Sequence, residues 1–254
     1  MTDVFLWGIG GKMGRTLLAL GQEDPNIRIV GGFDPYADPA TFDVPVFADA
    51  AKIDTPMDVI VDFSRPEALE DILSVATRMH SAAIFATTGY SQQQSDRIRE
   101  ASRSLAVFRT SNFSLGINLL IGLCRKAAQF LGDAYDIEII EQHHNRKVDA
   151  PSGTAITLAE EINDARNNSK RFTYGRVGGQ AKRAADEIGI HAVRGGTVVG
   201  KHDVLFLGTD EVITLSHEAQ SKAVFAQGAL RAAQFLKAAA PGMYSMQDVI
   251  GDLF

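Results

Sequence analysis

The chain has 254 residues, with 25 basic against 31 acidic side chains, a formal net charge of −6 and an apolar share of 45%. This length is sufficient for one large domain or two modest ones, each with a hydrophobic core. An acidic chain without a basic stripe lacks the electrostatics of a nucleic-acid-binding protein. No apolar run approaches the ~20 residues that span a bilayer. From the charge and from the absence of such a run, we expect neither a nucleic-acid partner nor a membrane partner.

The cysteine content and the N-terminal segment both predict a cytoplasmic location. Cys124 is the only cysteine and lies among apolar residues, which is usual in a reducing compartment and predicts a core side chain. The N-terminal segment has no basic region and enters a glycine-rich turn at once, unlike a signal peptide.

Strands and helices alternate over the first 112 residues. The predicted strands are 3–7, 27–33, 57–63, 82–86 and 105–109, and the helices between them are 15–20, 65–80 and 92–103. This order predicts an α/β fold with a Rossmann-like, doubly wound parallel sheet.

The first strand leads directly into the glycine-rich turn GIGGKMG at residues 8–14, and a helix follows. This is the context that a dinucleotide-binding fingerprint needs, with the pyrophosphate at the helix N-terminus. Asp34 lies where an acid would bind the adenosine ribose hydroxyls. A glycine turn without a ligand and a simple Asp-Pro turn are the alternatives. The predicted cofactor residues here are Gly8, Ile9, Gly10, Gly11, Lys12, Met13 and Asp34.

The second half begins with a predicted long helix at 115–131 and is then rich in strands. Strands are predicted at 137–140, 188–194, 197–206 and 211–216, with helices at 154–167 and 221–240. These strands predict one mixed sheet in an α+β domain. Their apolar residues offer more apolar surface than one face of a small sheet can bury alone. Residues 170–187 are polar and contain glycine, so we expect a weakly ordered surface excursion there.

A polar loop between the strand at 137–140 and the following helix is the densest group of proton-active residues. His143, His144, Arg146, Lys147 and Asp149 fall within seven positions, directly before the sequence PSGT. A helix N-terminus and two cations favour an anion, and histidine changes protonation near neutral pH. The loop therefore predicts a site for a small carboxylate that needs a proton, and the alternative is a solvated, capped turn.

A zinc site is a weaker alternative for the same loop. Adjacent histidines do not match two ligands one helical turn apart, and the chain has no cysteine cluster. We therefore expect no metal.

The same stretch resembles the signature of the dihydrodipicolinate reductase family, roughly E-x-H-H-x-x-K-x-D-x-P-S-G-T-A, from Glu141 to Ala155. The resemblance implies NAD(P)H-dependent reduction of 4-hydroxy-tetrahydrodipicolinate to tetrahydrodipicolinate in lysine and diaminopimelate biosynthesis. It also implies a homotetramer. A dinucleotide-binding domain would comprise 1–112 and 221–254, and a substrate-binding and oligomerisation domain would comprise 113–220.

Roles for individual residues follow from this resemblance and from the chemistry of the loop. We expect His143 to be the general acid and Lys147 to stabilise developing negative charge. Carboxylate binding is expected from His144, Gly153 and Thr154. The resemblance places two further loops beside the nicotinamide and ribose: Ala86, Thr87 and Thr88, and Ser111, Asn112, Phe113 and Ser114.

The chain departs from the family pattern at two places. Pro35 stands where an arginine often holds a 2′-phosphate, so Asp34 favours NADH at least as much as NADPH. The segment from His217 to Lys222 matches H-R-A-x-S-R only loosely, which leaves the role of Lys222 open.

Two other functions are compatible with the N-terminal half. One is an NAD-dependent dehydrogenase of small amino or hydroxy acids that shares only this half, and the other is a non-catalytic dinucleotide-sensing protein. The His-His-x-x-Lys loop disfavours the first. A sensor would not need a proton donor beside an anion site.

Overall fold

The computed structural model describes residues 1–179 and 181–251, which divide into two compact units, Met1–Ser114 with Ala223–Gly251, and Leu115–Lys222. The strands are β1 (Thr2–Trp7), β2 (Ile27–Phe33), β3 (Val46–Phe47), β4 (Val59–Asp62), β5 (Ala82–Phe85), β6 (Ala106–Phe108), β7 (Asp136–His143), β8 (Arg171–Tyr174), β9 (Glu187–Arg194), β10 (Gly200–Leu207), β11 (Val212–Ala219) and β12 (Gly242–Tyr244). The α-helices are α1 (Lys12–Glu23), α2 (Leu69–Met79), α3 (Gln92–Ala101), α4 (Leu115–Leu131), α5 (Gly153–Ala165), α6 (Ala223–Leu236) and α7 (Met246–Ile250). Within the described ranges, no helix has both the length and the apolar character needed to cross a membrane.

The first unit is built on a seven-stranded parallel sheet in the order β12-β6-β5-β4-β1-β2-β3. Its central strands are buried because helices cover both faces of the sheet. Leu17 of α1 and Leu230 of α6 lie in the apolar cluster on one face. Ile72 of α2 and Ile98 of α3 lie in the cluster on the other. The predicted doubly wound parallel sheet is confirmed.

Two short strands of this sheet are absent from the sequence-based prediction. β3 pairs in parallel with β2, and β12 pairs in parallel with β6. With two and three residues respectively, these strands are too short for the alternation of apolar and polar residues that reveals a strand in sequence. β12 follows α6, so the C-terminal part of the chain completes one edge of the sheet.

The second unit contains a five-stranded mixed sheet in the order β11-β10-β7-β9-β8. β7, β8 and β9 are parallel to one another, whereas β10 is antiparallel to β7 and β11. Alternate residues of the strands pack with α4 and α5 in one apolar cluster, including Ile139, Ile190 and Phe206. Cys124 is buried in the same cluster, as predicted. The predicted mixed sheet is likewise confirmed.

The prediction of weak order at 170–187 is wrong for the described residues of that segment. β8 pairs with β9 as an edge strand. Beyond it, Arg176 and Arg183 donate hydrogen bonds to the Glu138 carboxylate on β7, at 2.7 and 3.1 Å. The acidic partner of these arginines is distant in the sequence and reaches them only in the folded chain. Composition alone therefore made this segment resemble a solvated loop. Gln180 lies outside the described residues.

Glu138 occupies space that a side chain on the neighbouring strand would fill. Gly189 is its register partner on β9, and a Cβ there would lie 1.9 Å from Glu138 Oε2. His191 Nε2 lies 2.7 Å from the same oxygen. Burial raises the pKa of Glu138, but hydrogen bonds from Arg176 and His191 outweigh it and lower that pKa below its ordinary value. The outer face of the sheet therefore carries an ionised carboxylate within a network of cations.

Candidate active site

The candidate active site lies where the apolar rows of three adjacent strands end in polar side chains. On β7 the core-facing row runs from Ile139 into Glu141 and His143, because alternate residues share a face. Arg194 of β9 is the register partner of His143, and His202 of β10 is the register partner of Glu141. Sheet pairing thus brings four polar side chains to one end of the core.

Glu141 is fully buried, and its carboxylate accepts hydrogen bonds from three residues. Arg194 donates from both terminal nitrogens, at 2.8 Å to Oε2 and 2.7 Å to Oε1. The backbone N–H of Ser152 donates to Oε1 at 2.9 Å, and His143 Nδ1 lies 2.6 Å from Oε2. Burial raises the pKa of Glu141, but the bonds from Arg194 and His143 lower it below the usual value. Each oxygen of this ionised carboxylate therefore has two partners.

The His143 ring is enclosed on two further sides. Its centroid lies 5.3 Å from that of His202, and the ring planes are nearly perpendicular, at 75°. A Cβ at Gly200 would lie 3.0 Å from His143 Nε2, so glycine at this position leaves the nitrogen unobstructed. The ring retains 12% exposure, which gives it access to a ligand.

The N-terminus of α5 follows the polar loop directly. Ser152 caps the helix, because its Oγ accepts a hydrogen bond from Ala155 N at 3.2 Å. The same Oγ lies 3.0 Å from His202 Nε2. A Cβ at Gly153 would meet no described atom within 4 Å, so the backbone there is open to a ligand. First-turn N–H groups and the helix dipole favour an anion at this point.

Lys147 and His144 lie on the loop between β7 and α5. Lys147 Nζ is 2.8 Å from Asp149 Oδ1, and the lysine side chain is 21% exposed. His144 Nδ1 is buried and has no hydrogen-bond partner among the described residues. A buried nitrogen without a partner is destabilising, so a ligand that bonded to it would remove this cost. The charges of Lys147 and His143 both act on the buried His202 ring.

In the first unit, the glycine-rich turn follows β1 and leads into α1. Gly8 has φ +83°, and a Cβ at Gly14 would lie 2.2 Å from Gly8 O, so the helix approaches the turn as only glycine permits. Gly11 is the N-cap of α1 and has no side chain to occupy the first-turn N–H groups. Both features fit a pyrophosphate at this helix N-terminus.

Asp34 directly follows β2, and its carboxylate binds the backbone of the glycine-rich turn. Its Oδ2 accepts a hydrogen bond from Gly10 N, and its Oδ1 accepts one from Tyr36 N, both at 3.0 Å. Because each carboxylate oxygen has a second lone pair, Asp34 still has capacity for a ribose hydroxyl. The residues present therefore fit a dinucleotide.

The two remaining predicted cofactor loops follow β5 and β6. Ala86 and Thr87 are partly buried, whereas Thr88 and Ser111 are exposed. The Phe113 ring lies in the apolar core beside Phe108. Its neighbour Ser114 is 2% exposed, and the side-chain oxygen of Asn112, just before Phe113, accepts a bond from Ser114 N at 2.8 Å. Phe113 and Ser114 thus support the loop from the inside and offer a ligand mainly their backbone.

Sequence reasoning did not assign roles to three residues that the structure brings to these sites. Arg194 and His202 reach Glu141 and Ser152 from strands 53 and 50 residues further along the chain. Asp62, at the end of β4, is fully buried and accepts a bond from Tyr90 OH at 3.1 Å. Burial raises the pKa of Asp62. The signal in the sequence that could have revealed these three residues was a polar or charged side chain within an apolar strand or at its end.

Comparison with known proteins matches both units. The family model for the N-terminus of dihydrodipicolinate reductase covers residues 2–113, and the model for its C-terminus covers 116–250. The chain belongs to this family. It is 44% identical over 250 residues to 4-hydroxy-tetrahydrodipicolinate reductase of Caldanaerobacter subterraneus subsp. tengcongensis, covering 98% of each chain. It is also 44% identical over 252 residues to that of Clostridium botulinum, covering 99% of each.

Solved structures agree on the fold of this reductase family. Dipicolinate-bound dihydrodipicolinate reductase from Paenisporosarcina sp. TG-14 has a TM-score of 0.81 and 24% identity, covering 99% of this chain and 100% of that one. A diaminopimelate dehydrogenase of C. glutamicum has a TM-score of 0.54 at 16% identity, covering 100% and 96%. Family membership confirms the resemblance found in the sequence and identifies the chain as an NAD(P)H-dependent oxidoreductase.

The buried His202 ring predicts a loss of stability on the acid side. Burial and the nearby His143 lower the pKa of His202 from 6.5 to about 4. Between these values the unfolded chain binds a proton that the folded chain does not. The contribution of His202 is therefore fully present above pH 6.5 and lost as the pH falls towards 4, by at most about 3 kcal/mol.

Urea unfolding of His202→Gln from pH 4 to 7 measures this effect. The variant should show a shallower decline in the unfolding midpoint than the wild type. His80→Asn, at a helix C-cap with φ +52° that asparagine tolerates, is the matched control and should follow the wild type. An unchanged decline in His202→Gln would contradict the assignment of a neutral ring.

Proposed function

We propose that the chain reduces 4-hydroxy-tetrahydrodipicolinate to tetrahydrodipicolinate with NAD(P)H, and that His143 is the proton donor. Close relatives carry the name of this reductase, and a solved structure of the same fold is described as dipicolinate-bound. The observation that carries the residue assignment is the His143 ring, held at 2.6 Å by a buried carboxylate and followed by the open first turn of α5.

The second unit offers separate groups for the two substrate carboxylates. The backbone of Gly153 and the hydroxyl of Thr154 lie in the first turn of α5, where negative charge is favoured. His144 contributes a buried ring nitrogen that no described residue satisfies. Lys147 contributes a partly exposed ammonium whose present partner, Asp149, is itself exposed. A dicarboxylate can displace such a pair more readily than a buried one.

The proton is the part of the reaction that this chain must supply. Loss of water from the substrate would give a conjugated C=C–C=N system, and a nicotinamide, when bound, would supply a hydride to the outer carbon of its C=C bond. Electron density then moves towards the ring nitrogen. His143 donates a proton from Nε2 to the ring carbon beside the imine carbon, which restores the C=N bond of the product, because its Nδ1 is engaged by Glu141. Lys147 stabilises the negative charge that develops before the proton arrives.

Replacing His143 tests this function directly. His143→Gln keeps size and some hydrogen bonding but removes the acid, so kcat should fall by ~10²–10⁴-fold while NADH affinity barely changes. Turnover is followed as loss of NADH absorbance with freshly prepared substrate, and binding is followed by fluorescence titration. His80→Asn is the control. Full turnover in folded His143→Gln would show that the loop is only a solvated turn.

The dinucleotide is assigned to the first unit, with residues 1–112 and 221–254 as its domain and 113–220 as the substrate domain. Asp34 would repel a 2′-phosphate, and no arginine follows it. Arg15 cannot easily compensate, because its Nε donates to Gly10 O at 3.2 Å and its guanidinium lies 4.9 Å above the Phe42 ring. These contacts favour NADH at least as much as NADPH.

Titration of both cofactors measures the preference. The wild type should not bind NADPH tenfold more tightly than NADH, a difference of roughly 1.4 kcal/mol. Asp34→Asn removes the repelling charge and should shift the ratio towards NADPH by about that factor. Asp43→Asn makes the same charge change at an exposed position and should leave the ratio unchanged. A strong wild-type preference for NADPH would reject this role of Asp34.

A cytoplasmic homotetramer is proposed for the assembled enzyme. Among the apolar residues of the mixed sheet in the second unit, Val204 and Phe206 are fully buried within their own unit and are not available for contact with another copy. The outer face of the same sheet instead carries the partly buried Leu205 and Leu207 and the exposed Val212. A sheet face with these apolar residues beside satisfied charges suits contact with another copy.

Light scattering tests the assembly. The wild type at micromolar concentration should give the mass of four chains, and Val212→Asp should lower it, because a buried charge at an interface is unfavourable. Val177→Asp, at a position 94% exposed, serves as the matched control and should keep the wild-type mass. A monomeric wild type would contradict the proposal.

A further inference from the structure

Glu141 contacts both parts of the proposed substrate site without being assigned a role there. One oxygen accepts from the N–H of Ser152, the N-cap of α5. The other accepts from the His143 ring. One buried side chain thus fixes the position of the proton donor and the start of the helix that faces the anion.

The bond to Glu141 determines which nitrogen of His143 carries hydrogen. An ionised carboxylate can only accept hydrogen bonds, so Nδ1 must be the donor at 2.6 Å. After the ring has given up one proton, the remaining hydrogen stays on Nδ1. Nε2, beside Gly200, is therefore the nitrogen that exchanges a proton with a substrate.

We infer that Glu141 is a positioning residue: it holds His143 in the Nδ1–H form with Nε2 directed to the substrate, and fixes that ring relative to the first turn of α5. Arg194 supports this arrangement, because its two hydrogen bonds to Glu141 orient the carboxylate and balance its charge. A further bond from Arg194 to the Asp149 carbonyl, at 2.7 Å, ties the polar loop to the same group. The inference rests on the proposed role of His143 as the acid.

Because Glu141 is negative and Arg194 is positive, removing one or the other charge should shift the pH profile of kcat in opposite directions. Besides these two, the titratable groups that the structure places near this ring are His202 on β10, whose ring lies edge-on to it, and His217 on β11 and Lys147 on the loop, which act together with His143 on His202. Removing the Glu141 charge leaves a cation behind the ring, which disfavours its protonated form. Removing the Arg194 charge leaves the carboxylate without its counter-ion, which favours the protonated form.

The first experiment measures kcat against pH for Glu141→Gln, Arg194→Met and the double variant. An acid must be protonated, so activity falls as pH rises through its apparent pKa. That falling limb should move to lower pH in Glu141→Gln and to higher pH in Arg194→Met, each by about one unit. The double variant should return towards the wild-type position. Maximal kcat should fall by about 10- to 100-fold in Glu141→Gln, as when a partner that orients a histidine is removed.

Glu138→Gln is the matched control, because Glu138 lies on the same strand, faces the other side of the sheet and also binds arginine and histidine. Its falling limb should stay at the wild-type pH. Loss of kcat in Glu141→Gln and Arg194→Met without shifts of opposite sign would show that Glu141 only stabilises the fold, and would overturn the inference.

A second measurement uses the wild-type protein and does not depend on those variants folding. Two-bond ¹H–¹⁵N correlation spectra of the six histidine rings report which nitrogen carries hydrogen, and His143→Gln identifies the His143 signals by their loss. The neutral ring should be the Nδ1–H form, and an Nε2–H form would overturn the inference. Failure of the proposed function is distinct, because it would appear as full turnover in His143→Gln whatever the tautomer.

Discussion

The buried carboxylate of Glu141 is the constraint on which the geometry of the second unit depends. An ionised group without solvent contact needs a counter-charge and full hydrogen bonding, and Arg194 can provide these only if β9 pairs with β7 in the observed register. A slip of one residue would turn Arg194 to the opposite face of the sheet. The strand register that buries Ile139 and Ile190 is therefore the register that brings the polar side chains of the candidate active site together.

β7 carries a second carboxylate, Glu138, on its other face, and the two are stabilised in the same way. Each accepts bonds from arginine and from a histidine ring, and in each case these bonds outweigh the effect of burial on the pKa. The difference lies in the surroundings. Glu141 adjoins a helix N-terminus and a ring with access to a ligand, whereas Glu138 is surrounded by His191 on β9 and by two arginines of the segment between β8 and β9.

Much of the fold could be predicted from local sequence, and so could the loop at the centre of the candidate site. Alternation of strand and helix indicated the parallel sheet, and the density of polar residues indicated the loop around His143 and Lys147. Arg194 and His202 were beyond this reasoning, because what places them beside Glu141 is the pairing of strands far apart in the chain. The segment 170–187 was misjudged for the same reason, since its arginines find their acidic partners only across the folded sheet.

The close approach of Glu138 to Gly189 has an evolutionary consequence. Since a Cβ at position 189 would overlap the carboxylate, a larger residue there would displace the carboxylate from the position in which His191 and the two arginines bind it. A shorter residue at 138 would make room, but it would leave Arg176 and Arg183 without their shared acceptor. These four positions are thus coupled, and selection at any one of them depends on which residues occupy the other three.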